Sequence, residues 1–375
     1  MLKSKILLNL FCLLYFFLPQ TSFASQNQLP DLDTMIVSML MVGFRGTYLQ
    51  DDDVFLQKIK EGKIGHIILF DKDVSTNGPR NIESKEQLKK LLDTIKKASP
   101  NPMLIAIDQE GGKVARLTAD KGFMDLPSAQ RMGQENINTT TEIATKLGKE
   151  LYELGININF APVVDVNVNP NNPVIGKLGR SFNTDPRQVS RHAIAFGLAL
   201  AKEKIIPTLK HFPGQGSATK DSHFDLPDIT KEWNGAVDLL PYAEAFANKW
   251  PGAIMVAHIY HKGLDPKYPS SLSKMTITGL LRQGLGFNGV VICDDMQMGA
   301  ITNQYSLEEA IALSINAGTD ILLFSNNLIW DDYIIEKATN CLKQLVNKGL
   351  IKKERIQESY LRIQNLMTQF GLINN

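Results

Sequence analysis

Short, strongly apolar runs recur along the chain, separated by longer stretches in which apolar positions return every three or four residues. The runs fall at 40–44, 66–70, 104–108, 158–162, 207–211, 254–258, 290–294 and 321–324. Each is too short for a buried helix and too continuously apolar for a strand with one wet face. The pattern therefore predicts eight strands buried on both faces. Between them lie helix signals, clearest from Ser84, where Ser84 and Gln87 form a capping-box pattern and Leu88, Leu91, Leu92 and Ile95 share one face. A second helix is predicted over 139–154, stopped by Gly155, and 351–367 reads as one amphipathic closing helix.

Strands alternating with helices predict an α/β fold, a single (β/α)8 TIM-type barrel with a C-terminal closing helix. A doubly wound open sheet is the alternative, but no Gly-rich phosphate fingerprint follows the first strand. No internal repeat, low-complexity segment or Ser/Pro-rich linker divides the chain. The first residues have the three parts of a secretory signal: Lys3 and Lys5, an apolar run over 6–18, and Ser22-Phe23-Ala24 before Ser25. The expectation is cleavage after Ala24, export to the periplasm, and one catalytic barrel domain over 25–375. The apolar run is shorter than the ~20 residues a spanning helix needs, so no stable membrane insertion is expected after cleavage.

Charge changes the picture by exclusion. Lys and Arg number 40 against 39 Asp and Glu, with no like-charge block long enough to follow a phosphate backbone or an acidic lipid surface. Nucleic acid is not an expected partner; a small neutral molecule is. Of three cysteines, Cys12 leaves with the signal, so no disulfide framework is expected from Cys293 and Cys341. Cys293 lies in an apolar strand and reads as a small buried hydrophobe.

In a barrel of this type the site forms where the strands end, so the polar residues closing the apolar runs are the ones to weigh. These are Asp108, Lys210 with His211, His258, and Asp294 followed by Asp295. Any one of them is as readily a cap or an ion pair. Several ionisable groups converging on one mouth instead point to a ligand site. After the fifth run comes KHFPGQGSATKDSH, from Lys210 to His223, an irregular loop by virtue of Pro213, Gly214 and Gly216. Asp221 and His223, two positions apart, point the same way in an extended segment. A carboxylate beside an imidazole makes a tunable proton carrier, or else a bracing bond within the loop. Retaining glycoside cleavage needs such a carrier and a carboxylate nucleophile about 5–5.5 Å from it. Asp294 supplies the carboxylate at a strand end, in preference to Asp295, whose alternating side chain points elsewhere.

These motifs resemble glycoside hydrolase family 3, specifically its single-domain β-N-acetylglucosaminidases, over nearly the whole mature chain. DQEGGKVARL resembles the family's substrate-gripping segment, and NFAPVVDVNVNPNNPVIGKLGRSF its fourth strand and following loop. KHFPGQGSATKDSH resembles the family signature, and GFNGVVICDDMQMGAI the nucleophile strand. The resemblance implies Asp294 as nucleophile, His223 as acid/base and Asp221 as its partner. It implies Asp108, Arg116, Arg180, Lys210 and His211 as ligands of the sugar hydroxyls and acetamido group, with His258 in the wall. The implied substrates are peptidoglycan fragments or chitooligosaccharides bearing terminal β-linked N-acetylglucosamine. Two departures stand in the signature: Gln215 where the family commonly has His, and Ser217-Ala218 where it commonly has Asp-Thr.

Three rival readings share these residues. A metallohydrolase would use His211, His258 and Asp294 as ligands, though no His-x-His pair marks the first strand. A glycan-binding protein without catalysis would share the scaffold. A phosphorylase would put phosphate in place of water as the second acceptor. Neither an organic cofactor nor a metal is expected.

Overall fold

The computed structural model describes residues 29–373, and the segment carrying the expected export signal lies outside them. The eight apolar runs are eight parallel strands: β1 (Leu40–Gly43), β2 (His66–Leu69), β3 (Ile105–Ile107), β4 (Ile158–Asn159), β5 (Ile206–Phe212), β6 (Ala253–Val256), β7 (Val291–Cys293) and β8 (Leu322–Phe324). Each pairs with its sequence neighbours, and β8 returns to β1 with Leu40 opposite Leu322. The ring closes between β7 and β8 through a parallel bridge of Ile292 to Ile321, and Met296 N donates to Leu323 O at 2.9 Å. Every strand residue is buried, as expected where side chains fill the barrel on one face and meet helices on the other. The fold is therefore the (β/α)8 barrel, not the open sheet.

β3, β6 and β7 end one or two residues before Asp108, His258 and Asp294, the polar residues that close their runs. The backbone pairing there passes to side chains: Gln109 N donates to Asn159 Oδ1 at 3.0 Å, and Asn159 Nδ2 donates back to Gln109 O at 2.9 Å. The mouth is thus built of loops pinned by side chains. One loop after β3 forms a small antiparallel hairpin, Gln109–Gly111 with Val114–Ala115, which the apolar pattern does not mark.

The helices follow their end signals. Lys85–Ala98 starts at Ser84, whose hydroxyl accepts from Gln87 N at 3.1 Å; Gln87 Oε1 in turn accepts from Glu83 N rather than from Ser84 N. Ile137–Leu154 begins two residues earlier than expected, because Asn136 is the cap, and it ends at Gly155 with φ of 91°. Gly197 in Pro186–Lys202 is required for packing, since a Cβ there would lie 2.1 Å from the Trp250 ring. The closing helix, Lys353–Gln369, is tied to the base of β8 by Arg355, which donates to Thr319 O at 2.8 Å. This leaves the opposite end of the barrel open. No helix of the described residues is long and apolar enough to cross a membrane, and Cys293 and Cys341 are both free thiols.

Candidate active site

A cavity of about 760 Å³ opens at the C-terminal ends of the strands, and all eight of the sequence-predicted site residues line it. Its floor is an ionic cluster. β5 is extended and buried, and it delivers Lys210 to the mouth, where Nζ lies 2.7 Å from Asp108 Oδ1 and 2.6 Å from Glu110 Oε1. Arg180, on the loop after β4, meets Glu110 through two nitrogens at 2.7 Å each. Burial opposes the Glu110 charge, but Arg180 and Lys210 outweigh it and hold the carboxyl well below the usual carboxylate range. The same contact, working against burial, raises Arg180 above the ordinary guanidinium value. Arg116 is held more loosely, 3.7 Å from Asp108 and 3.9 Å from Asp71, with its guanidinium 5.5 Å over the Phe70 ring.

His211 faces the same cavity. Its Nδ1 lies 2.6 Å from Asp165 Oδ2, and its Nε2 lies 3.2 Å from Arg180 Nη2. Because a guanidinium only donates, Nε2 is the accepting nitrogen and Nδ1 carries the proton. Asp165 is buried and also accepts from Gln215 N at 2.7 Å, so one carboxylate fixes both the imidazole and the turn after it.

The signature loop carries the dyad. Asp221 Oδ1 accepts from His223 N at 2.9 Å and from Nδ1 of the same residue at 2.6 Å. That bond fixes the tautomer and leaves Nε2 as the free lone pair on a ring that is 44% exposed. Gly299 N donates to the His223 carbonyl at 2.9 Å, so the dyad segment rests on the start of Gly299–Thr302, the short helix that follows β7.

Asp294 follows β7 and is half-buried against the cavity, with Oδ1 accepting from Asp295 N at 2.8 Å. Burial works against its charge, but the imidazoles of His258 and His211 and the Asp295 N–H hold it below the ordinary aspartate value. Asp295 is its opposite. It is turned into the wall, accepts from the Ser325 hydroxyl and N–H and from Gln297 N, and is pushed up by burial to about 6. Two adjacent aspartates are thus driven apart, one toward the anion and one toward the acid form.

His258 lies deeper than a wall residue. It is fully buried, with Nδ1 2.6 Å from Ser271 Oγ and Nε2 donating to Asp295 O at 2.9 Å, and burial lowers its pKa. With both nitrogens of His211 and His258 engaged, the metal set of His211, His258 and Asp294 has no converging lone pairs, and it does not fit.

Two residues of the site went unmarked in the sequence reading, Glu110 and Asp165. A signal for Glu110 was present: it stands two positions past Asp108, on the same side of an extended segment. Asp165 is a lone acid in the apolar stretch Ala161–Val166, where a buried carboxylate calls for a partner.

Comparison with known proteins adds four findings. The model of the glycosyl hydrolase family 3 N-terminal domain matches residues 31–366. Beta-hexosaminidase A of Pseudoalteromonas piscicida is 35% identical over 332 residues, 82% of this chain and 53% of that protein. The beta-hexosaminidase of Tolumonas auensis is 34% identical, over 77% of this chain and 83% of its own length. Among solved structures, a family 3 β-N-acetylglucosaminidase from Paenibacillus superposes with a TM-score of 0.82 at 34% identity, covering 92% of this chain and 63% of that one. The chain therefore spans about half the length of the first curated relative.

Proposed function

The chain belongs to glycosyl hydrolase family 3, and on that premise we propose that it is a retaining β-N-acetylglucosaminidase acting at its barrel mouth. The observation that carries this reading is the pairing, across one cavity, of an anionic carboxylate at the end of β7 with a histidine whose Nε2 is free. A non-reducing N-acetylglucosamine occupies the floor, where Asp108 accepts from hydroxyls and Arg116, Arg180, Lys210 and His211 surround the ring and acetamido oxygens. Asp294 attacks the anomeric carbon as His223, entering as the imidazolium with its second proton on Nε2, protonates the departing oxygen, giving a glycosyl-enzyme ester. His223, now neutral, takes a proton from water, which displaces Asp294 and frees the sugar. Asp221 orients the imidazole and stabilises the imidazolium that exists before the first step and is restored by the second.

Peptidoglycan fragments or chitooligosaccharides are the natural substrates on this reading, met in the periplasm after export. That part rests on the signal-like pattern of residues 1–24.

The test is release of 4-nitrophenol from 4-nitrophenyl N-acetyl-β-D-glucosaminide by wild type, Asp294→Asn and His223→Ala. Turnover by wild type, near-complete loss in Asp294→Asn, and loss concentrated on poor leaving groups in His223→Ala is the expected result. A folded wild type that turns over no N-acetylglucosaminide would overturn the reading in favour of glycan binding without catalysis. Turnover that requires phosphate and yields the sugar 1-phosphate would overturn its hydrolytic half.

A further inference from the structure

The signature loop has two parts of different character. Residues 211–218 are all buried, whereas 219, 220, 223, 224 and 225 are exposed, and Ser222, at 3% exposure, is the inward-facing residue among them. The exposed part is the one that bears the dyad. On its inward side, what this segment rests against is what Ser222 touches.

Ser222 Oγ accepts from Gln215 Nε2 at 3.2 Å. Gln215 is itself a fixed point: its N–H donates to Asp165 Oδ1 at 2.7 Å, and its carbonyl accepts from Asn172 Nδ2 at 2.8 Å. The next residue, Gly216, packs so tightly that a Cβ there would lie 1.8 Å from Val166 O. The Gln215 side chain leaves this anchored backbone and lines the cavity. On the other side the dyad segment is held by backbone and one amide: Gly299 N to His223 O at 2.9 Å, Ala300 N to Ser222 O at 3.2 Å, and Asn303 Nδ2 to Phe224 O at 3.0 Å.

Resting on the reading of Asp221 and His223 as the acid/base pair, we propose that Gln215 is a positioning residue that sets, through the Ser222 hydroxyl, how far the dyad reaches into the cavity. Asp165 then serves two ends at once, holding the sugar-facing His211 and the backbone N–H of Gln215, the residue whose side chain reaches the acid/base segment. The link is a neutral, moderately long hydrogen bond, so it carries no charge that titrates with the dyad. A bond of this kind is weak enough to break and re-form as the exposed segment moves.

The readout is the dependence of kcat/KM on the leaving group in Gln215→Met, which keeps length and removes the donor, in Ser222→Ala, and in the double variant. Proton delivery matters for poor leaving groups and little for activated ones. The expected result is a loss of about 5- to 20-fold on phenyl N-acetyl-β-D-glucosaminide, a change within about twofold on the 2,4-dinitrophenyl glycoside, and a double variant no worse than the worse single. Gln215→His, which keeps a donor, should recover much of the loss. Equal losses on every leaving group, or fully additive losses, would show Gln215 to be a packing residue. Should wild type turn over no substrate, the proposed activity fails first, and the tether is then decided by hydrogen exchange alone. Faster exchange at 219–225 in Gln215→Met supports it, and unchanged exchange refutes it.

Discussion

Arg180 grips Glu110 with two nitrogens, Nε on Oε2 and Nη2 on Oε1, each at 2.7 Å. Lys210 Nζ completes the cluster 2.6 Å from the same carboxylate. Buried Lys210 and largely covered Arg180 thus depend on one buried anion, with Asp108 as a second partner for Lys210 only. Glu110→Gln leaves Arg180 short of its counter-charge at the floor of the cavity. Removing one member of a buried pair costs about 3–5 kcal/mol, shared between folding and ligand binding. The expected outcome is a lower unfolding midpoint together with at least about tenfold weaker binding of N-acetylglucosamine, read by calorimetry. Unchanged binding would mean that Arg180 and Lys210 hold their places without Glu110.

In the proposed mechanism the 2.6 Å bond from His223 Nδ1 to Asp221 supplies both orientation and charge, and the two are separable. Asp221→Asn keeps an acceptor for Nδ1–H but removes the anion that stabilises the imidazolium. General acid–base assistance is worth about 10²- to 10⁴-fold, so Asn should lose about 10- to 100-fold on poor leaving groups and Ala more. The comparison is made on kcat/KM. Equal rates for Asn and wild type would leave the Asp221 charge without a role.

What was legible in the sequence divides along physical lines. The eight strands were legible because burial on both faces leaves an uninterrupted apolar run, and every such run became a barrel strand. Asp294 was separable from Asp295 because strand alternation survives to the end of β7: the Asp295 carboxylate is taken up by Ser325 and Gln297, partners that Asp294 does not share. The hairpin at Gln109–Gly111 escaped because two- and three-residue strands beside Gly111 and Gly112 leave no periodicity to read. Met275–Gly284 forms a π-helix, and a 3.6-residue pattern does not foretell a wider turn. Asp165 was missed because its partner, His211, lies 46 residues away and is met only once β4 and β5 are adjacent.

Asp320, at the base of β8, is fully buried and meets three guanidiniums: Arg282 at 2.8 Å, Arg355 at 2.9 Å and Arg362 at 3.1 Å. Burial opposes its charge, but the three arginines outweigh it and lower its pKa. A depressed carboxyl contributes stability that is present above the unfolded-state value and is lost as pH falls through the folded-state one. Asp320→Asn should therefore cost about 3–5 kcal/mol at pH 7, with the gap to wild type narrowing below about pH 4. Urea unfolding at both pH values checks this. A gap that stays constant down to pH 3 would mean that the charge contributes little.

Asp238 works in the other direction. It is buried behind the signature turn, with Oδ2 accepting from Asn234 N at 2.9 Å and Oδ1 without a partner. A Cβ on Gly214 would lie 2.7 Å from the Asp238 Cβ, so the carboxyl abuts the turn that leads to Gln215. Burial, with Asp165 nearby, pushes it up to about 7. The folded state then binds this proton more tightly than the unfolded chain. Stability consequently falls as pH rises from the ordinary aspartate range to about 7 and changes no further from this group above it. Asp238→Asn removes that dependence while keeping an acceptor for Asn234 N. The variant should be no more stable than wild type at pH 4 and more stable at pH 8, by at most about 4 kcal/mol. The measurement is the unfolding free energy of both proteins across pH 4 to 8. Parallel curves for the two would mean that Asp238 is ionised throughout and that a buried partner, such as the Tyr242 hydroxyl, supports its charge.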